Sequence, residues 1–114
     1  MTTYFISRHA GAVEWAKRQD LQICRFVSHL DIADVRSGDI VIGSLPVDLA
    51  AQVCASSAAY WHLSLDMPAE LRGLELSADE LEWLGAHIQP YDVKAIHQRN
   101  AQLPRMKCNR HAPL

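Results

Sequence analysis

The chain has 114 residues and a formal net charge of −2, with 49% apolar and 21% charged residues. That is the make-up of one globular domain; it excludes a disordered chain, and no apolar run approaches the roughly 20 residues of a membrane span. Cys24, Cys54 and Cys108 are widely spaced and form no CxxC pair, so neither a disulfide framework nor a zinc site is indicated.

Tyr4-Phe5-Ile6 reads as a short central strand. Residues 11–19 follow as a helix, with Ala12, Trp15 and Ala16 on one side and Glu14, Lys17 and Arg18 on the other. Leu21 to Leu30 reads as a second strand interrupted by Arg25, and Asp31 to Gly38 as a polar turn region. Asp39-Ile40-Val41-Ile42-Gly43 is rich in β-branched residues and lacks polar alternation, as a parallel strand covered on both faces does. Ser44-Leu45-Pro46 ends it. A helix is predicted from Val47 to about Ser57, its apolar stripe made by Val47, Ala50, Ala51, Cys54 and Ala58.

Residues 60–65 form the next predicted strand, where Trp61, Leu63 and Leu65 alternate with Tyr60, His62 and Ser64. Asp66 to Leu76 is a loop. Ser77 with Glu80 makes a capping box and Leu76 with Leu81 a hydrophobic staple, so a third helix starts there, with Leu81, Leu84, Gly85 and Ile88 as its buried stripe. Tyr91 to Ile96 is predicted as the last strand. The tail is basic: residues 93–114 hold Lys94, Arg99, Arg105, Lys107 and Arg110 and no acid, while residues 1–92 hold all 13 acids and 6 of the 11 bases. Such a tail can attract a polyanion, but residues 98–114 are read as a poorly ordered, solvated terminus. The N-terminus lacks the pattern of a signal peptide, and a cytoplasmic location is expected.

Strands alternating with helices of about ten residues predict an α/β domain over 1–97: a single-domain, three-layer, Rossmann-like, mostly parallel sheet flanked by helices. The step from the second strand to the third is too short for a parallel crossover. One of those two strands is therefore expected to run antiparallel at an edge, or residues 21–30 are not fully a strand.

In open α/β sheets, ligands bind beyond the carboxyl ends of the parallel strands. The first such end supplies Ser7, Arg8 and His9, with the backbone of Ala10 and Gly11 opening a helix. The next supplies Gly43, Ser44, Leu45 and Pro46, and the last Asp66 and the loop to Arg72. Hydroxyls, guanidinium groups, an imidazole and helix N-termini on one rim suit a phosphate or phosphodiester. A metal site would want several converging His or carboxylate groups, and only His9 and Asp66 are placed for one, so neither metal nor cofactor is expected. Each residue also has a structural reading. Ser7 and Ser44 could be helix caps, Gly11 and Gly43 backbone necessities, and Arg72 a tie to Glu70 or Glu75. His29, His62, His87 and the three tryptophans are read as structural.

These segments resemble a known family. Tyr4-Phe5-Ile6-Ser7-Arg8-His9 with Gly11-Ala12, Glu14-Trp15-Ala16, and His29-Leu30-Asp31 carry the likeness at the start. Gly38-Asp39, Val41-Ile42-Gly43, Leu45-Pro46-Val47 and Leu49-Ala50-Ala51 continue it. His62-Leu63-Ser64-Leu65-Asp66, Pro68-Ala69-Glu70-Leu71-Arg72-Gly73 and Glu75-Leu76-Ser77 complete it, over about residues 2–93. The chain is similar to the CRISPR-associated accessory proteins of type III systems that form the sixteenth family of the Csx series.

The resemblance implies a compact relative of the CARF domain, a Rossmann-like dimeric module that binds cyclic oligoadenylates. The implied activity is that of a ring nuclease, which cuts cyclic tetra-adenylate and switches off the type III antiviral signal. The expected partners are then cyclic tetra-adenylate and a second copy of the chain, with no membrane and no long nucleic acid. Chemistry assigns the roles: Ser7, Arg8 and His9 catalytic; Ala10, Gly11, Gly43, Ser44, Leu45, Pro46, Asp66 and Arg72 ligand-binding. Three other readings stay open: a sensor that binds without cleaving, a histidine-phosphatase-like enzyme using His9 as nucleophile, and a structural accessory protein with a merely polar rim.

Overall fold

The computed structural model describes residues 1–96. Its elements are β1 (Thr3–Ile6), α1 (Ala10–Arg18), β2 (Arg25–Val27), β3 (Ile40–Gly43), α2 (Val47–Ala55), β4 (Ala59–Ser64), α3 (Ala78–Trp83) and β5 (His87–Tyr91). Single 3-10 turns lie at Ile32–Asp34 and Ala69–Leu71. The sheet runs in the order β2-β1-β3-β4-β5, with β1 to β4 parallel and β5 antiparallel.

Successive strand side chains point to opposite faces, and here both faces are covered. Tyr4, Ile6, Val41 and Tyr60 meet Val35 and the Ala50 and Val53 of α2 on one side. Phe5, Ile42 and Leu63 meet Ala12, Trp15 and Ala16 of α1 and Ala78 and Leu81 of α3 on the other. This double covering is why β3 reads as an unbroken apolar run. The result is the expected three-layer, Rossmann-like α/β fold. No helix among the described residues is long and apolar enough to cross a membrane. The predicted limit at residue 97 and the tail over 98–114 lie outside the described residues.

Of the two alternatives for the second strand, the second holds: residues 21–30 are not fully a strand, and β2 is three residues long and runs parallel to β1 at the edge. The link over residues 28–39 nonetheless carries the chain past β1 to β3. It does so with one 3-10 turn, capped where Asp31 Oδ1 accepts from the Ala33 N–H at 3.0 Å, and with Val35 buried in the core. The antiparallel strand is instead β5, and it spans His87–Tyr91 rather than 91–96. Helical spacing extends the third helix to Ile88, but Gly85 adopts φ 77° and stops it. The chain then turns straight into β5, and Ile88 packs into the core from that strand. In α2 the buried residues are Ala50 and Val53, while Val47 is 74% exposed. Both sheet edges resist further pairing: β5 carries Pro90, and β2 is short with an exposed Arg25.

Candidate functional site

The parallel strands end in step. Ile6 lies opposite both Val27 and Gly43, and Gly43 opposite His62. The residues that follow β1, β2 and β3 therefore leave the sheet along one edge. A groove of about 580 Å³ lies there. Ser7, Arg8 and His9 line it from β1, Ser28 and His29 from β2, and Ser44, Leu45 and Pro46 from β3.

The first loop is built by a short turn. The Ser7 N–H still donates to the Val27 carbonyl at 3.0 Å. Ser7 Oγ accepts from the His9 N–H at 3.1 Å, so Ser7 shapes the turn while His9 occupies the cap position of α1. An oxygen that accepts here keeps its own hydrogen available to a ligand. Arg8 is exposed and makes no hydrogen bond or ion pair among the described residues. His9 Nδ1 lies 2.9 and 3.1 Å from the two carboxylate oxygens of Glu75. Both side chains are exposed, so the pair orients the ring more than it stabilises the fold. With a carboxylate at Nδ1, Nε2 is left as the nitrogen that can accept a proton.

Ala10 opens α1, whose first amides have no acceptor inside the helix. No acid in the first turn offsets the positive end of the helix. Gly11 sits one residue further and does not line the groove. A Cβ there would lie 1.8 Å from the Leu76 carbonyl oxygen, so Gly11 lets α1 seat against the chain leading into α3.

The second loop is held from beneath. Tyr60, buried on β4, accepts the Leu45 N–H at 2.9 Å through its hydroxyl. The same oxygen lies 3.1 Å from the Gly43 carbonyl and 2.6 Å from His62 Nδ1. Burial pushes the Tyr60 hydroxyl above its usual range, which keeps it a donor. Ser44 Oγ donates to the Leu63 carbonyl at 2.8 Å. Its hydrogen is thus committed, and toward a ligand Ser44 can accept but not donate. It is not a helix cap, since Pro46 holds that position in α2. Gly43 lies beneath the loop outside the lining; a Cβ there would stand 2.8 Å from the Ile6 carbonyl oxygen of the neighbouring strand.

The third loop turns a different side to the groove. Asp66 and Arg72 are exposed and outside the lining, and Arg72 pairs with neither Glu70 nor Glu75. Met67, Leu74 and Leu76 line it instead, continuing the wall begun by Leu63 and Leu65. Three polar residues, Ser28, His29 and Glu75, are not assigned to the site by sequence. Glu75 lies 66 positions from His9, and nothing local marks the pairing. His29 falls inside the strand expected over residues 21–30; β2 ends at Val27, and His29 lies on the rim. Among the described residues, no group of three or more His, Cys, Asp or Glu is placed to hold a metal ion.

The fold and site define a Rossmann-like α/β protein with Ser7, Arg8 and His9 beside an apolar wall, at the carboxyl edge of a parallel sheet. Residues 4–94 match the family described as "Putative CRISPR-associated protein (Cas_VVA1548)", and the chain belongs to that family of CRISPR-associated proteins. No curated protein and no solved structure matches the chain.

Proposed function

We propose that this CRISPR-associated protein is a CARF-like ring nuclease that binds cyclic tetra-adenylate and opens it without a metal, ending type III antiviral signalling. One observation carries the reading. The Ser7 hydroxyl, the Arg8 guanidinium, the His9 ring held at Nδ1 by Glu75 and the start of α1 meet at one groove, and neither the Ser7 hydroxyl hydrogen nor the Arg8 guanidinium is committed among the described residues. An apolar wall beside that corner suits a nucleotide, which joins an anion to a flat base.

In such a ring each 2′-hydroxyl lies beside its own 3′-phosphate, and cleavage requires it to line up with the departing 5′-oxygen. Holding that geometry can supply several kcal/mol of the barrier. Arg8 and the Ser7 hydroxyl hold the phosphate and stabilise its growing charge. His9, oriented by Glu75, takes the 2′-hydroxyl proton at Nε2. Ser44, its hydrogen committed to Leu63, accepts a hydrogen bond from a ribose hydroxyl. The products are linear adenylates ending in a 2′,3′-cyclic phosphate. A two-fold dimer suits a ring of repeated units, because each copy offers the same corner to an opposite phosphate.

The test is incubation of purified protein with cyclic tetra-adenylate and EDTA, followed by chromatography. Conversion to linear product is expected. A ring left intact by prolonged excess enzyme overturns the nuclease reading, and tight binding of that intact ring would point to a sensor.

A further inference from the structure

We infer that His29 is the general acid of this cleavage, protonating the departing 5′-oxygen while His9 takes the proton of the attacking 2′-hydroxyl. The inference rests on the ring-nuclease reading above and adds a second catalytic residue to it.

Placement comes first. Val27 is paired with Ile6, and the Ser7 N–H donates to the Val27 carbonyl. The chains after β1 and β2 therefore leave the sheet side by side. His9 and His29 line the same groove from these adjacent strand ends.

Commitment of the ring nitrogens comes second. His9 Nδ1 is held by Glu75, His62 Nδ1 by the Tyr60 hydroxyl, and His87 Nδ1 by the Gly85 carbonyl. His29 is exposed and, alone among the four described histidines, has no side-chain partner among the described residues. Nothing in the fold uses its imidazole.

The chemistry then asks for two groups in opposite protonation states. The 2′-O–H bond breaks and its proton goes to His9 Nε2. The 2′-oxygen forms a bond to phosphorus, the bond from phosphorus to the 5′-oxygen breaks, and that oxygen takes a proton from the His29 imidazolium. No proton is gained or lost overall, and both rings recover by exchange with water. The carboxylate on His9 Nδ1 holds the ring with Nε2 left free, the arrangement of a histidine base, and His9 is assigned that role. Arg8 holds its proton too tightly to be the acid, and Asp66 lies outside the lining. That leaves His29.

The experiment compares two rings in single turnover across pH. One is natural cyclic tetra-adenylate; in the other, sulfur replaces the bridging 5′-oxygen, so the leaving thiolate needs no acid. Wild type should give a bell-shaped profile on the natural ring. His29→Ala should slow that ring by about 100-fold or more and lose the fall in rate at high pH. The sulfur ring should erase the difference for His29→Ala but not for His9→Ala. His29→Asn, with a thermal melt for each variant, guards against a fold defect. Equal slowing of both rings by His29→Ala, or no slowing of either, overturns the inference while leaving ring cleavage standing. A wild-type protein that opens neither ring overturns the ring-nuclease reading, and the inference with it.

Discussion

The two ends of the sheet use their polar groups in opposite ways. At the amino edge, Asp39 is 4% exposed and accepts from the Thr2 N–H at 2.8 Å and the Arg36 N–H at 2.9 Å. Around it the Ile40 N–H donates to Thr2, the Gly38 N–H to Ser57, and the Ala59 N–H to Asp39. Every one of these bonds closes the chain on itself. At the carboxyl edge, Arg8 and His29 are exposed without partners among the described residues, the Ser7 hydroxyl has a hydrogen to give, and α1 opens with no acid in its first turn. Exposed polar side chains without partners contribute little to folding. Polar groups that stability does not explain are where binding should be sought.

The greatest loss is expected from Gly11→Ala, because Gly11 lies beside the open edge yet serves the fold. Its new Cβ would meet the Leu76 carbonyl oxygen at 1.8 Å and push α1 off its seat. A loss of about 3 kcal/mol or more is expected in urea titration; a change below about 0.5 kcal/mol would show that α1 can shift freely.

Arg8→Ala makes the opposite demand. The melting temperature should stay as in wild type while ring opening falls by about 100-fold or more. Unchanged turnover would move the site elsewhere.

Tyr60→Phe joins the two behaviours, since a buried hydroxyl holds the groove loop through Leu45. Leaving that N–H unpaired should cost about 1–3 kcal/mol in chemical denaturation and weaken ligand binding as the Ser44 loop loosens.

At the closed edge, the two backbone donors from Arg36 and Thr2 hold the Asp39 carboxyl below its usual range. Its stabilising effect is therefore complete above the unfolded value of about 4. It is lost as pH falls from there through the lowered folded value. Thermal melts against pH should show this acid limb in wild type and a flatter one in Asp39→Asn.

Glu75→Gln should have only a small effect on stability, under about 1 kcal/mol, because the pair is exposed. It should still slow ring opening, by less than His9→Ala does, as the imidazole loses its fixed orientation.

Local rules recovered much of this molecule. The capping box is present in full: Ser77 Oγ accepts the Glu80 N–H, and Glu80 accepts the Ser77 N–H. The unbroken apolar run of β3 correctly signalled a sheet covered on both faces, and the loops after β1 and β3 do share a rim. What was not legible depended on distance or on backbone sign. Leu81, Leu84 and Ile88 fit a helical stripe, and only the positive φ of Gly85 assigns Ile88 to a strand. Arg25 interrupts an apolar run, but pattern alone does not say that the strand begins there. From the 66–76 loop, Asp66 and Arg72 are expected at the ligand, yet it is Met67, Leu74 and Leu76 that line the groove. The Glu75–His9 contact joins segments 66 residues apart.

The most direct measurement is mass spectrometry of cyclic tri-, tetra- and hexa-adenylate after incubation with the full chain and EDTA. Ring opening of the tetra-adenylate to linear products ending in a 2′,3′-cyclic phosphate is the predicted result, lost in Arg8→Ala. Three intact rings, or products bearing a free 3′-phosphate or 5′-phosphate from the first turnover, would contradict attack by the 2′-hydroxyl at this groove.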